Sequence, residues 1–414
     1  MKVLYVSNNY PPEIIGGAEL IAHRHLKCLF DQGFDCEVFS GCLTQNMPAF
    51  NLRSEKYQGI KVSRVSLGQE QTSWEYENFR NKKLNNIFEK SLLESKPDIV
   101  HFHNLPGLSV DFIEIAKSKK IPTVLTVHDH WGFCHRQTLT KPNGELCKDI
   151  SKCYECQSYF FDNHNMRQSI LERNKYVQSK INLVDVIISP SQYLANQYCL
   201  AGCASNNVEV ISYGVNLADY CPLKNQTLIK KNTRFGIASY LGKHKGVDKV
   251  LDAISMLPKG LDVKFLFAGK GPLEKDIKEF INSHYNGAYV EFVGWIPPEN
   301  TPKFLQSLDI FIAASQWPEN QPLSIMEAMA SGVAVIATDC GGVPEIVRHG
   351  FNGLIVPMGD VCALATAFQL YTNDPKLAKL HGQAGQRFMS QQSIQKTILS
   401  LYHLYKKLIS SRLA

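Results

Sequence analysis

Short β-branched runs alternate with amphipathic stretches along this chain, and the alternation halts once and then starts again. The first series predicts strands at Val3–Ser7, Cys36–Ser40, Ile99–His103, Thr123–His128 and Val186–Pro190, with a helix over Glu19–Gln32 closed by Gly33. A polar stretch from Asn216 to Thr233, with Pro222 inside it, interrupts the rhythm. The second series predicts strands at Phe235–Ser239, Val263–Ala268, Val290–Val293, Ile310–Ala314, Ala334–Thr338 and Leu354–Val356, and helices at Val247–Leu257 and Glu274–Asn282. Apolar runs separated by helical segments are the pattern of a parallel sheet buried on both faces. Two such series around one linker predict an α/β protein of two Rossmann-like domains whose sheets face a cleft. Sheets of that kind bind ligands beyond their strand C-termini. A length of 414 residues suits two domains better than one. The expected boundaries are 1–215 and 216–389, with a last helix inside 390–414. That helix carries Ile394, Ile398, Leu401, Leu404, Tyr405 and Leu408 at helical spacing and is expected to pack back on the first domain.

Charge and composition narrow the partners. The net charge is +6, and neither half is basic enough to suggest nucleic acid. The small excess suits anionic ligands and a weak peripheral contact with a membrane surface. No apolar run approaches the roughly 20 residues that cross a bilayer. The start, Met1 to Ser7, passes at once into Asn8, Asn9 and Pro11, without the apolar stretch of a signal peptide. A cytoplasmic protein is the expectation, at most one lying at the inner face of the membrane. In that compartment most of the 12 cysteines stay reduced. Cys134, Cys147, Cys153 and Cys156, the last two spaced C-x-x-C, then read either as ordinary thiols or as a tetrahedral structural zinc site.

The chemistry concentrates in Trp317-Pro318-Glu319-Asn320-Gln321-Pro322-Leu323-Ser324-Ile325-Met326-Glu327-Ala328-Met329-Ala330. The segment follows a predicted strand, and Pro322 suits the first turn of a helix. A helix starting around Asn320, Pro322 and Leu323 aims backbone N–H groups and the positive end of its dipole at a ligand, which suits a diphosphate. Glu319 precedes that start and Glu327 lies more than a turn inside, so the two acids meet different parts of one ligand. Taken alone, such a pair reads as a capping acid and a solvated helix acid. Other candidates sit where predicted strands end. Gly16 and Gly17 form a turn before the first helix, where glycine permits positive φ and close backbone approach. Lys245 precedes the helix at Val247, and Gly269 and Gly271 form the turn Gly269-Lys270-Gly271-Pro272. Val293 and Gly294 lead into Trp295. His128 closes a strand, with Asp129 and His130 at the same edge.

In order and spacing these pieces resemble retaining glycosyltransferase family 4, whose signature is a Glu, seven residues and a second Glu, matched here by Glu319 and Glu327. The resemblance covers nearly the whole chain, from Gly16-Gly17 through His128, Lys245-Gly246, the Gly269 turn and Val293-Gly294-Trp295 to Gly341-Gly342-Val343-Pro344-Glu345. It implies a GT-B fold and a nucleoside-diphosphate-sugar donor. It also implies transfer of a hexosyl group, with retention at the anomeric carbon, to a saccharide or lipid-linked saccharide in cell-surface polysaccharide synthesis. No cofactor for catalysis is implied. Carried over to this sequence, Glu319 orients the sugar, Glu327 the ribose, and His128 the reaction centre. Lys245, the Glu319–Leu323 helix start and Gly17 steady the leaving diphosphate, while Gly269, Gly271, Val293 and Gly294 line the nucleotide side. One position departs from the family. Members carry Arg five residues before the lysine, where this chain has Tyr240, so a bidentate phosphate donor is replaced by a phenol. Lys243 and His244 are the nearest substitutes. A subgroup of the family shares a cysteine-containing insertion after its His-Asp, which implies an acceptor-side role for the four cysteines. The alternatives are a GT-B sugar-nucleotide epimerase and a two-lobed binding protein without chemistry.

Overall fold

The computed structural model describes residues 1–13, 16–42, 48–68, 78–156, 165–204, 207–220, 232–283 and 289–413. Pro222, with the rest of 221–231 of the expected linker, lies outside them. The chain divides into two units, Met1–Tyr213 with Gln395–Ala414, and Gly214–Ile394.

In the first unit the strands are β1 (Lys2–Ser7), β2 (Asp35–Cys42), β3 (Leu52–Tyr57), β4 (Ile60–Ser66), β5 (Ile99–Phe102), β6 (Thr123–Thr126), β7 (Val186–Ser189) and β8 (Val208–Val210). They lie in the order β3-β4-β2-β1-β5-β6-β7-β8. Every neighbouring pair is parallel except β3 with β4. That hairpin was not read from the sequence. β3 is half exposed along its length and carries no apolar run. The hairpin is set by a two-residue loop in which Gln58 and Gly59 both take positive φ, 48° and 89°. Such a loop matches the twist of the strands it joins.

The second unit holds β9 (Thr233–Ala238), β10 (Val263–Ala268), β11 (Tyr289–Gly294), β12 (Ile310–Ala313), β13 (Ala334–Thr338) and β14 (Leu354–Val356). Their order is β11-β10-β9-β12-β13-β14, all parallel. This is the doubly wound arrangement, in which the order reverses between β9 and β12. Successive side chains of a strand point to opposite faces, and both faces here are covered. Ile310, Ile312, Ala334 and Ile336 enter one apolar cluster. Phe311, Val335 and Ala337 enter a second. Double burial is why these strands read as continuous apolar runs.

The last helix, Ile394–Leu413, buries Ile394, Ile398, Leu401, Leu404 and Tyr405, and from Gln395 onward it belongs to the first unit. Leu408, expected on the same face, is half-buried. Among the described residues no helix is long and apolar enough to cross a membrane.

Candidate functional site

In the second unit, β9 and β12 end side by side where the strand order reverses. The chain leaving β9 passes Tyr240 into a short 3₁₀ turn, Lys243–Lys245. The chain leaving β12 passes Ser315, Gln316 and Trp317 to reach Glu319. Gln316 N donates to His244 O at 2.8 Å and ties the two together. Gly246 permits this approach: its φ is +69°, and a Cβ there would lie 1.9 Å from Ala314 O.

Lys245 Nζ donates to Glu319 Oε1 at 2.6 Å. The same oxygen accepts from Ser315 Oγ at 2.6 Å and from Trp317 Nε1 at 2.9 Å. Lys245 Nζ also stands 4.9 Å from the Trp317 ring centroid. Burial pushes the Glu319 carboxyl up, but the Lys245 ammonium and the three hydrogen bonds outweigh it and hold the group below its usual value. The residues read from sequence as a phosphate ligand and a sugar ligand are therefore one ion pair. All three of these bonds converge on Oε1.

The helix after Glu319 spans Leu323–Ala330. Pro322 is its N-cap, with φ −71° and ψ 112°, one residue before the first-turn position expected for it. The N–H groups of Ile325 and Met326 turn back to Pro322 O at 3.2 and 3.3 Å. Those of Leu323 and Ser324 come before this first bonded turn, where a helix offers donors to an anion. Asn320 is half-buried in the loop, and Glu327, inside the helix, is 8% exposed. Tyr240, 51% exposed, is the outer rung of an aromatic ladder. Its ring centroid is 5.4 Å from that of His244, which lies 4.5 Å from Trp317. Ser315, Trp317 and His244 were not singled out as partners of Glu319. Their signal is position alone, on two loops that leave strands adjacent in the sheet.

The Gly269 turn has a structural reason of its own. Gly269 has φ +138°, and a Cβ on it would lie 1.8 Å from Ser239 O; one on Gly271 would lie 2.5 Å from Leu241 O. Gly269 N donates to Gly294 O at 2.8 Å, so that carbonyl already has a partner inside the protein. Val293 and Trp295 beside it are 38% and 60% exposed.

In the first unit, Gly16 has φ −157° and ψ −157°, so the positive φ expected of the Gly16-Gly17 turn is not used there. Among the described residues, its chain neighbours aside, nothing lies within 4 Å of a Cβ built on Gly16. Its N–H donates to Glu19 Oε2 at 2.9 Å, and Gly17 begins the helix Gly17–Asp31. His128 follows β6 and is 8% exposed. Both of its ring nitrogens are engaged, Nε2 with His103 Nδ1 at 2.8 Å and Nδ1 with Tyr213 Oη at 2.8 Å. Burial first, then His25, pushes this imidazole down to about 3, so it is neutral. Asp129 accepts from Trp131 N at 2.7 Å and from Asn104 Nδ2 at 3.1 Å. Burial nevertheless raises its carboxyl to about 6. His130, expected at the same edge, is turned inward. It is 1% exposed, its Nδ1 meets Gln137 O at 3.1 Å, and its ring packs against Phe133.

The four cysteines lie on one folded excursion after β6. Cys147 N donates to Leu139 O, and Lys141 N to Glu145 O, each at 2.7 Å, around a Thr140–Leu146 bridge. Cys153 and Cys156 stand on a 3₁₀ segment, Ile150–Cys156. Burial raises the thiols of Cys134, Cys153 and Cys156, that of Cys153 to about 12, and at each of these three the neighbouring cysteines add to the rise. As placed, no group of three or more His, Cys, Asp or Glu among the described residues could hold a metal ion.

Two doubly wound α/β units, one carrying a Lys–Glu pair where its strand order reverses, agree with what the chain resembles. The model named Glycosyltransferase Family 4 matches residues 15–219, and the model named Glycosyl transferases group 1 matches 223–388. The uncharacterized glycosyltransferase MJ1178 of Methanocaldococcus jannaschii is 28% identical over 422 residues, covering 99% of each chain. The amylovoran biosynthesis glycosyltransferase AmsK of Erwinia amylovora is 28% identical over 206 residues, 48% of this chain and about half (50%) of that relative's length. Among solved structures, Anabaena HepE in complex with UDP superposes with a TM-score of 0.70 at 18% identity, covering 98% of this chain and 100% of that one. This chain belongs to the group 1 and family 4 glycosyltransferases and has their GT-B fold.

Proposed function

We propose that the chain moves a hexosyl group from a nucleoside-diphosphate sugar, with retention at the anomeric carbon, onto a saccharide or lipid-linked saccharide in the synthesis of a cell-surface polysaccharide. The observation that carries this reading is the Lys245–Glu319 pair at the reversal point of a doubly wound sheet, the place where such sheets take their ligands. HepE has been solved with UDP, with UDP and glucose, and with UDP-glucose. AmsK is named for amylovoran biosynthesis. The epimerase and binding-protein alternatives find no support among these relatives.

In this reading the departing diphosphate meets Lys245 Nζ and the N–H groups of Leu323 and Ser324. As Nζ turns to the phosphate, Ser315 and Trp317 stay on Glu319 Oε1 and hold the carboxylate in place while Oε2 takes a sugar hydroxyl. Glu327 is assigned to the ribose, and His128 borders the reaction centre. The leaving phosphate takes the acceptor's proton, so no side chain serves as general base. The work is done in the cytoplasm, and at the inner face of the membrane where the acceptor is lipid-linked.

A thermal-shift panel of UDP-, GDP-, dTDP- and ADP-sugars identifies the donor as the one that raises the melting temperature. With that donor and an acceptor, Glu319→Gln is expected to lower nucleoside-diphosphate release at least about 100-fold, as loss of a positioned transition-state group does, while the unliganded protein, though destabilised by loss of the ion pair with Lys245, still unfolds in one cooperative transition. Near-wild-type turnover of Glu319→Gln, or a panel in which no nucleotide sugar stabilises the protein, overturns the reading.

A further inference from the structure

The first unit buries a column of imidazoles and phenols along the ends of β1, β5 and β6. His101, His103 and His128 stack in sequence, with ring centroids 4.5 Å and 5.1 Å apart and interplanar angles of 23° and 19°. Tyr5 lies against His103 at 4.7 Å, and Tyr213 stacks on the far side of His128 at 5.4 Å. His101 is held by the Tyr405 hydroxyl from the last helix and by Thr126 Oγ1. His25 Nε2 fixes Tyr213 through its carbonyl oxygen at 2.7 Å. Each of these rings is less than a tenth exposed. A hydrophobic core would be built more simply from leucine and phenylalanine, because every buried imidazole nitrogen needs a partner.

The hydrogen bonds between the rings decide where the protons sit. His103 Nδ1 and His128 Nε2 are 2.8 Å apart, so one carries hydrogen and the other accepts. His103 Nε2 is buried and has no partner among the described residues. If that nitrogen bore the proton, a buried N–H would be orphaned, and a bare lone pair is the less costly of the two states. The proton of His103 therefore belongs on Nδ1, donating to His128 Nε2. His128 then carries its own proton on Nδ1, the nitrogen 2.8 Å from Tyr213 Oη.

We infer that His103 and Tyr213 are positioning residues for His128, holding its ring in one plane and in the single neutral form with the proton on Nδ1. This rests on the glycosyltransferase reading, in which His128 borders the reaction centre. Its consequence is specific. With Nε2 capped by His103, His128 cannot take a proton from an acceptor, and what it offers a sugar hydroxyl is the Nδ1–H it otherwise shares with Tyr213. The sequence signal was a histidine just beyond the end of each of two successive strands, His103 after β5 and His128 after β6. Adjacent parallel strands bring those ends together.

The test uses the full chain with ¹⁵N-labelled histidine rings, His128 being assigned from His128→Gln. The wild-type spectrum is expected to show His128 protonated on Nδ1 alone, with no donor needed. His103→Phe should mix the two His128 tautomers and lower kcat at least tenfold with the donor KM within twofold. His103→Asn, whose amide replaces an N–H near the Nδ1 position, should recover at least a third of the wild-type kcat. Should His103→Phe not fold, Tyr213→Phe serves instead, with the same mixing of tautomers and fall in kcat expected. A wild-type His128 protonated on Nε2, or a folded variant with tautomer and kcat both unchanged, overturns the inference. A wild-type protein that transfers no sugar overturns the functional reading instead, and the ring spectrum still decides the positioning.

Discussion

Lys245→Met separates the charge of the Lys245–Glu319 pair from the packing around it. Methionine keeps an apolar stem over Trp317 and removes an ammonium 2.6 Å from Glu319 Oε1. A hydrogen bond to a charged group contributes about 1.5–3 kcal/mol, and a cation over an aromatic face about 0.5–1 kcal/mol more. The substitution should therefore cost about 2–4 kcal/mol at pH 7. Its pH dependence follows from the sign of two shifts. In the wild-type protein the Glu319 carboxyl lies below its ordinary 4.5. A depressed folded value means stability that is present above the unfolded value and lost as the pH falls through the folded one. Without Lys245, burial acts against the two neutral donors Ser315 and Trp317, and the carboxyl moves upward. A raised value has the opposite sign: its stability is present at low pH and is lost as the pH rises through it. The gap between wild type and Lys245→Met should thus be widest at pH 7 and narrow as the pH falls to 4, towards the cation–π remainder of about 1 kcal/mol. Urea unfolding of both proteins across that range, followed by tryptophan fluorescence, measures it. A gap of the same size at pH 4 and pH 7 would refute the reasoning, because the loss would then be one of packing and not of charge.

Gly269→Ala should destabilise the protein by more than about 2 kcal/mol, since its Cβ would fall 1.8 Å from Ser239 O, whereas Gly16→Ala, with open space around the site, should change stability by under about 1 kcal/mol. Urea midpoints compare the two, and equal effects would show that the Gly269 turn is not held by close backbone approach. A structural zinc at Cys134, Cys147, Cys153 and Cys156 remains a proposal from their spacing in sequence, since as placed these thiols do not form a metal site and would have to draw together to hold one. Metal binding must displace protons that burial now holds on Cys134, Cys153 and Cys156. Protein purified under reducing conditions should then carry about one equivalent of zinc per chain. Less than about a tenth of an equivalent, with Cys153→Ser fully stable, would leave four ordinary thiols.

The strands buried on both faces were legible residue by residue. Val263–Ala268, Ala334–Thr338 and Leu354–Val356 lie where their apolar runs predicted. Double burial demands apolar side chains at every position, and that demand is written locally. β3 was missed because an exposed edge strand has no such demand, and only its pairing with β4 holds it. The loops that carry the candidate site were also legible, through motif resemblance, because a helix start or a tight turn needs particular residues in close succession.

What those residues do to one another was decided elsewhere. Lys245 and Glu319 are 74 positions apart, His103 and His128 are 25, and Tyr5 and Tyr405 are 400. No local propensity encodes such pairings. Parallel strands joined by crossovers bring chain segments together according to the order of strands in the sheet, whatever their separation in sequence. The amino-acid sequence by itself settled which doubly buried segments become strands and pointed to the turns proposed here to hold a ligand. The tertiary fold settled that one lysine neutralises one glutamate, that Gly269 serves the backbone beside it, and that a histidine at the end of β6 is held by a neighbour at the end of β5.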